Sequence, residues 1–262
     1  MHRFCLVTLF CLLICNTAVA ERTSIVLGTE DWPPFSYEEG ATAQVTGLST
    51  EIINATFSRM GVSIKENKVY PWIRAQKAVY AGKVDGVYTA SVNDERLKHT
   101  FFPSEPIITS KWVLFIHKSN KGTLKFDKLS DLNGKRIGLI KGYNYPAQFK
   151  DHVTKNSVID EVSLETVNIS KLLFKRYDYM PAVLETTLHL AKNRPEFQKI
   201  NAVNKLHYFE KPLATTDFYL IFSKKTVKKE FVDKFSRALI AFKKTNEYQQ
   251  ILKKYLGSND VD

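Results

Sequence analysis

Short apolar runs alternate with longer segments of helical periodicity through most of this chain, and that alternation restricts its fold more than any other feature. Residues 23–28, TSIVLG, have the composition of a buried strand. Ser49 can cap a helix running to Met60, with Glu51 in its first turn and Gly61 as the stop. A strand is predicted over 62–67. Pro71 opens a second helix in which Trp72, Ala75, Val79 and Tyr80 share a face before Gly82 ends it. Residues 84–88 form the next predicted strand. A second set begins after Lys118, with a strand over 136–140, a turn at Gly142, a short helix from Pro146, a helix over 170–176 and a strand over 177–180. KVDGV (83–87) and RYDYM (176–180) echo one another, each running from a helix end into a strand around a central aspartate. The surrounding order repeats as well, so the pattern predicts two similar α/β lobes. A strand over 218–223 and two helices follow. The first helix is marked by Phe231, Phe235, Leu239 and Phe242, the second by Tyr248, Ile251, Leu252 and Tyr255 before Gly257.

The chain has 262 residues, and the first twenty, MHRFCLVTLFCLLICNTAVA, read as an export signal. Arg3 supplies the positive start, residues 4–14 the apolar stretch and Ala18-Val19-Ala20 a small-x-small cleavage site, so a periplasmic protein starting at Glu21 is expected. The apolar run is too short to span a bilayer comfortably, and no other segment approaches that length. All three cysteines, Cys5, Cys11 and Cys15, lie inside the signal, which leaves the mature chain without a disulfide framework or a thiol nucleophile. Leu13-Ile14-Cys15 faintly resembles a lipoprotein cleavage site, against which the bulky Ile14 stands. What remains is ample for one large or two medium domains. The formal net charge of +11 comes mostly from lysines scattered over helix faces, apart from pairs such as Lys224-Lys225 and Lys228-Lys229. In an exported protein that argues against nucleic acid and for a solvated surface whose field favours anionic ligands. His99, His117, His152, His189 and His207 are dispersed without metal-ligand spacing, and no cofactor is expected.

In open α/β sheets ligands bind outside the carboxyl ends of the strands, which selects three loops: EDWPPFSY (30–37), TASVNDER (89–96) and KGYNYP (141–146). In the second, Ser91 and Asp94 have capping-box spacing, so a helical turn that favours an anion is predicted there. Thr89 and Ser91 add hydroxyls, and Arg96 adds a planar fork that matches a carboxylate bidentately. An ordinary capped turn, with Arg96 paired to Asp94 or Glu95, fits the same residues. Trp32 and Phe35 stand beside two prolines that fix their direction, either as a stacking wall or as a lid over the core. Tyr143, Asn144 and Tyr145 follow a glycine turn, as a ligand loop or a solvated one.

Five passages, GTEDWPPFSY, TGLSTEIINATFSRMG, GKVDGVYTASVNDER with FFPSEPI, LNGKRIGLIKGYNY and EYQQILKKYLG, occur in this order behind the export signal. Through them nearly all of the mature chain resembles the type II periplasmic solute-binding proteins of family 3, the amino-acid-binding branch. The resemblance implies a two-lobe α/β fold with two crossover strands near 107–110 and 215–218. Lobe I would hold 21–108 and 217–262, and lobe II 109–216. It further implies a monomer that closes on a small carboxylate-bearing solute and passes it to an inner-membrane ABC permease, or reports it to a sensor kinase. Trp32 takes the place of the stacking aromatic, and Phe35 beside it is also expected at the ligand. Thr89, Ser91 and Arg96 take the hydroxyl and carboxylate-binding positions, and Tyr143, Asn144 and Tyr145 the second-lobe loop.

Two departures stand out. The aspartate that usually receives the α-ammonium would fall in Pro181-Ala182-Val183-Leu184-Glu185, where the expected position is apolar and Glu185 fits only after a shift. The hydroxyl-rich second-lobe loop has also become aromatic. Trp72 and Arg74, near a helix start, either reshape the pocket or are a core tryptophan and a surface arginine. Some proteins of this fold are dehydratases of cyclohexadienyl acids, which gives an enzymatic alternative with Glu185 as general acid. A third alternative is a ligand-free module that docks a membrane sensor.

Overall fold

The computed structural model describes residues 22–40 and 44–256, so the export signal, Cys15 and Gly257 lie outside the described residues. Strand Ser24–Thr29 lies parallel to both Ser63–Val69 and Gly86–Ala90. Gly86–Ala90 in turn pairs antiparallel with the far half of the long strand Ala214–Ser223. The near half of that strand pairs with a second long strand, Ile108–His117, in the register Ala214 with Trp112 through Phe218 with Ile108. Beyond this crossing, Ile108–His117 pairs with Met180–Val183 and Leu206–Tyr208. Tyr179 bridges Ile137 of strand Arg136–Ile140, which lies parallel to Val158–Val162. Two α/β lobes therefore share two long strands.

The echo of KVDGV and RYDYM is structural. Asp85 accepts the Val26 amide at 2.9 Å on its side chain and donates its own amide to the Val26 carbonyl at 2.8 Å. Asp178 does the same to Arg136, at 2.8 Å and 2.9 Å. Each aspartate also pairs with an arginine, Arg22 at 2.9 Å and Arg136 at 2.8 Å. A clasp thus fastens the helix-to-strand turn onto the start of the neighbouring strand in both lobes.

Several boundaries differ from those read in the sequence. Helix Leu48–Arg59 is preceded by Gly47, with Ser49 buried inside its first turn. Its leading amides are taken by backbone oxygens: Leu48 donates to Pro34 at 2.8 Å and Ser49 to Phe35 at 2.8 Å. Backbone capping makes a hydroxyl cap unnecessary. It also explains Gly47, whose φ is 114° and where a Cβ would come within 2.6 Å of the Phe35 oxygen. The helix expected over 170–176 is Glu165–Leu173, and the strand expected over 177–180 is Met180–Val183, because Tyr177 and Tyr179 leave the turn as core side chains. Helix Trp72–Ala81 and strand Arg136–Ile140 stand where the sequence put them.

The lobe I core wraps the two closing helices. In Lys229–Lys243, residues Val232, Phe235, Leu239 and Phe242 are fully buried, with Phe235 5.0 Å from Phe57 and 5.3 Å from Phe222 between ring centres. Burying each such ring contributes roughly 2–3 kcal/mol. Asn246–Leu256 lies over that layer, held by Tyr255 donating to Glu51 at 2.6 Å. Among the described residues no helix is long and apolar enough to cross a membrane.

Candidate functional site

The carboxyl ends of the lobe I strands and the loop after Arg136–Ile140 meet around a small cavity. It is lined by Glu30, Trp32, Trp72, Thr89, Ser91, Arg96, Trp112, Tyr143, Asn144 and Phe218. At about 20 Å³ it has room for one water, so the two walls are nearly shut on one another. A wider groove of about 960 Å³ lies elsewhere on the surface, without this density of buried charge.

Trp32 is aimed by a loop bonded to itself. The Phe35 and Ser36 amides both donate to the Trp32 oxygen at 3.0 Å, and the Ser36 hydroxyl donates to the Glu30 oxygen at 3.0 Å. The Trp32 ring packs 4.7 Å from Phe35 and 4.9 Å from Phe218. Phe35 backs Trp32 and does not reach the cavity.

At the end of Gly86–Ala90, Thr89 has φ 67°, a left-handed conformation that costs a β-branched residue about 1–3 kcal/mol. The helix that follows, Asp94–His99, is capped by Asn93, whose side chain accepts the Arg96 amide at 2.8 Å. The capping box expected from Ser91 and Asp94 is therefore absent, because Asn93 stands in the N-cap position and reaches the third amide directly. Ser91 is left to the site: its hydroxyl oxygen accepts from Arg96 at 2.9 Å and from Asn144 at 3.1 Å. Arg96 is only 2 % exposed, donates also to the Ser91 carbonyl at 2.7 Å and to Gln76 at 3.3 Å, and lies 4.9 Å over the Trp72 ring. Among the described residues it forms no ion pair, neither with Asp94 nor with Glu95. Burial pulls its pKa below the usual arginine value, while Tyr80 and Glu30 oppose that.

The second-lobe loop closes the opposite wall. Asn144 also donates to the Val92 carbonyl at 2.9 Å, and the Tyr143 hydroxyl donates to Glu30 at 3.1 Å. Tyr145 turns away: its hydroxyl accepts the Ile140 amide at 2.7 Å and its ring packs 4.9 Å from Trp112. Arg74 is exposed and away from the cavity, whereas Trp72 lines it. Glu185 accepts from Ser110 and borders the wider groove. The acid on which the enzymatic alternative relied is thus outside the cavity.

Two other carboxylates stand near it. Glu30 is 9 % exposed and Glu165, the first residue of its helix, 8 %. Burial, with Glu165 adding to it, pushes Glu30 up to about 8 against the opposing Tyr143 hydroxyl and Arg96. Burial likewise raises Glu165 to about 7, moderated by Tyr143 and the Trp32 indole. Trp112 and Phe218 complete the aromatic wall. None of these four was picked out in the sequence. Glu30 precedes Trp32 within EDWPPFSY and could have been found there, while Glu165 looks like any acid in a helix first turn.

A profile of the bacterial extracellular solute-binding proteins, family 3, matches residues 25–258. The chain belongs to that family. No curated protein matches this family 3 chain. Among solved structures, an ancestral arginine-binding protein bound to arginine superposes with TM-score 0.75 at 22 % identity, covering 90 % of this chain and 99 % of its own. An ancestral amino-acid-binding protein described as a precursor of cyclohexadienyl dehydratase gives 0.72 at 19 %, covering 89 % and 95 %. A histidine kinase sensor domain similar to periplasmic binding proteins gives 0.74 at 19 %, covering 90 % and 97 %. These likenesses establish the two-lobe type II periplasmic-binding-protein fold for this family 3 protein.

Proposed function

We propose that this family 3 protein captures a small carboxylate-bearing solute, an amino acid or a relative of one, in the cavity between its lobes. The observation that carries this reading is Arg96, a buried guanidinium on the cavity wall without a carboxylate partner among the described residues. Its charge is costly to bury alone, and a ligand carboxylate offsets that cost with charge-assisted hydrogen bonds. Thr89, Ser91 and Asn144 orient the solute and Trp32 stacks on it. The lobes divide at 107–110 and 215–218, giving 21–108 with 217–262 and 109–216. This division is supported by the paired stretch 108–112 with 214–218, which joins the two strand sets. Opening there would break Tyr143 to Glu30, Asn144 to Ser91 and the exposed pair Arg194 to Asp31 at 2.6 Å. Residues 1–20 direct export, with cleavage after Ala20, and the solute goes to an inner-membrane ABC permease or is read by a sensor kinase.

Titration of tryptophan fluorescence with small carboxylates and amino acids tests the reading, since Trp32, Trp72 and Trp112 all line the cavity. Saturable quenching that Arg96→Ala weakens at least about a hundredfold is expected, and wild-type affinity in that variant would end it. A second reading, dehydration of a cyclohexadienyl acid, is supported by Glu165, a buried carboxyl next to the cavity-lining Tyr143 and Trp32, whose burial raises its pKa toward the range of a general acid. Formation of an aromatic product under single-turnover conditions, lost in Glu165→Gln, is its test.

A further inference from the structure

The strand Ile108–His117 crosses Ala214–Ser223 at one end, and cations crowd its other end at His117. Two short 3-10 turns, Lys118–Asn120 and Ala202–Lys205, pack against each other there. Leu206 pairs with His117 across the antiparallel strands, which brings Lys205 beside Lys118. The Lys121 amide donates to the Lys118 carbonyl at 3.0 Å, so Lys121 closes the first turn. Helix Glu165–Leu173 ends at the same place, because Leu173, Ala202, Leu206 and Phe115 share one buried cluster. Its continuation, Phe174-Lys175-Arg176, therefore surfaces next to the two turns. Lys118, Lys121, Lys175, Arg176 and Lys205 are all exposed, and among the described residues none of the five forms an ion pair. Burial, then Lys175 and Lys205, hold the His117 imidazole below its usual pKa, in keeping with two amines gathered about one ring. The acids at the border are Glu196, which shares a groove with Phe174 and Arg176, and Glu210, near His207. Phe174 is 71 % exposed, more than any other large apolar side chain among the described residues, and Val203 in the second turn is exposed as well.

We propose that this pole of the second lobe docks on the surface of an anionic phospholipid bilayer, with Phe174 entering the headgroup layer and the five cations spread over it. Each lysine or arginine gains from the negative surface potential, and the phenylalanine supplies an apolar body that lodges at the acyl boundary. Two features select lipid over an acidic protein. The apolar element is one ring with a valine in the neighbouring turn, far smaller than the core of a stable protein interface. Four of the five cations are lysines, flexible point charges that suit laterally mobile headgroups better than fixed carboxylates. The formal net charge of +11 adds a long-range attraction to the same surface. Trp112, which lines the cavity, stands five residues before His117, or about 17 Å along a strand. The docked pole thus leaves the cavity clear of the bilayer, and attachment is independent of the Arg96 reading.

The test is flotation of the mature protein with two kinds of vesicle, pure phosphatidylcholine and an equal mixture of phosphatidylcholine with phosphatidylglycerol. Binding to the mixed vesicles alone is expected in about 0.05 M salt, and its loss in about 0.5 M. The triple variant Lys118→Gln, Lys175→Gln, Lys205→Gln should bind the mixed vesicles about a hundredfold more weakly, at about fivefold per lysine. Phe174→Ser should weaken them at least about fivefold while leaving binding to a soluble polyanion, inorganic polyphosphate, unchanged. A control triple variant on the first lobe, Lys65→Gln, Lys225→Gln, Lys228→Gln, removes the same net charge and should bind the mixed vesicles nearly as wild type does. Circular dichroism checks the fold of each variant. Equal binding to both kinds of vesicle, wild-type binding in the pole triple variant, or an equal loss in the control overturns the proposal. Unchanged vesicle binding in Phe174→Ser overturns it too, as does binding of polyphosphate without binding of vesicles, which would assign the pole to a soluble polyanion.

Discussion

Replacing Glu30 by glutamine should stabilise the ligand-free protein, and increasingly so as the pH rises. In the closed cleft the Glu30 carboxyl has its pKa raised from 4.5 to about 8. The folded state therefore binds a proton that the unfolded chain releases over that interval, and stability falls as pH rises through it. The loss is complete above about pH 8 and absent below about pH 4.5. At 1.36 kcal/mol per unit, Glu30 costs about 3 kcal/mol at pH 7 and about 4 kcal/mol at pH 8, but less than about 1 kcal/mol at pH 5. The glutamine amide would keep an oxygen for the Tyr143 hydroxyl and carry no charge. For a chain of this size each kcal/mol moves the melting temperature by roughly 2–4 °C, so Glu30→Gln should melt several degrees above wild type at pH 8. At pH 5 the two should converge. Opening the cleft wets Glu30, which caps the gain at the free energy of opening. Differential scanning fluorimetry on ligand-free protein at pH 5, 7 and 8 makes the comparison. Two parallel melting curves across that range, or a variant less stable at pH 8, would refute the reasoning that Glu30 is buried against its charge.

Asn93→Ala removes the side chain that accepts the Arg96 amide and should cost about 1 kcal/mol in urea denaturation. It should also weaken ligand binding, because the same helix carries Arg96. Gly47→Ala puts a methyl against the Phe35 oxygen at a φ of 114°, and a loss of more than about 2 kcal/mol with a changed tryptophan emission is expected. Asp31→Asn breaks the exposed pair with Arg194, so a change below about 1 kcal/mol that vanishes in 0.5 M salt should appear in ligand affinity.

The α/β alternation was legible because the strands are short apolar runs and the helices have clear stops. Gly82 caps its helix in the left-handed conformation, and Pro71 opens the same helix. The helix starts at 48 and 165 were harder to place. In the first, the capping groups are backbone oxygens of Pro34 and Phe35, which leave no trace in residue identity. In the second, Leu164 precedes the helix without a side-chain cap. Thr89, Ser91, Arg96, Tyr143 and Asn144, taken from loops after strands, converge on one cavity, as does Trp32. Tyr145 and Phe35 have the same composition signal but pack behind their neighbours, since a stretch of adjacent aromatics cannot all face one side. Glu30 and Glu165 escaped notice because a carboxylate in sequence looks solvated, and only the folded packing buries them.

The paired aspartate clasps also set where the molecule can give. Asp85 and Asp178 stiffen each lobe at the corner where a turn meets the sheet, using contacts that stay within that lobe. Neither fastener spans the two halves. Under the proposed division, once the cleft contacts of Tyr143, Asn144 and Arg194 are broken, opening would bend the two long strands while each half keeps its shape, like two plates joined by a thin double strap.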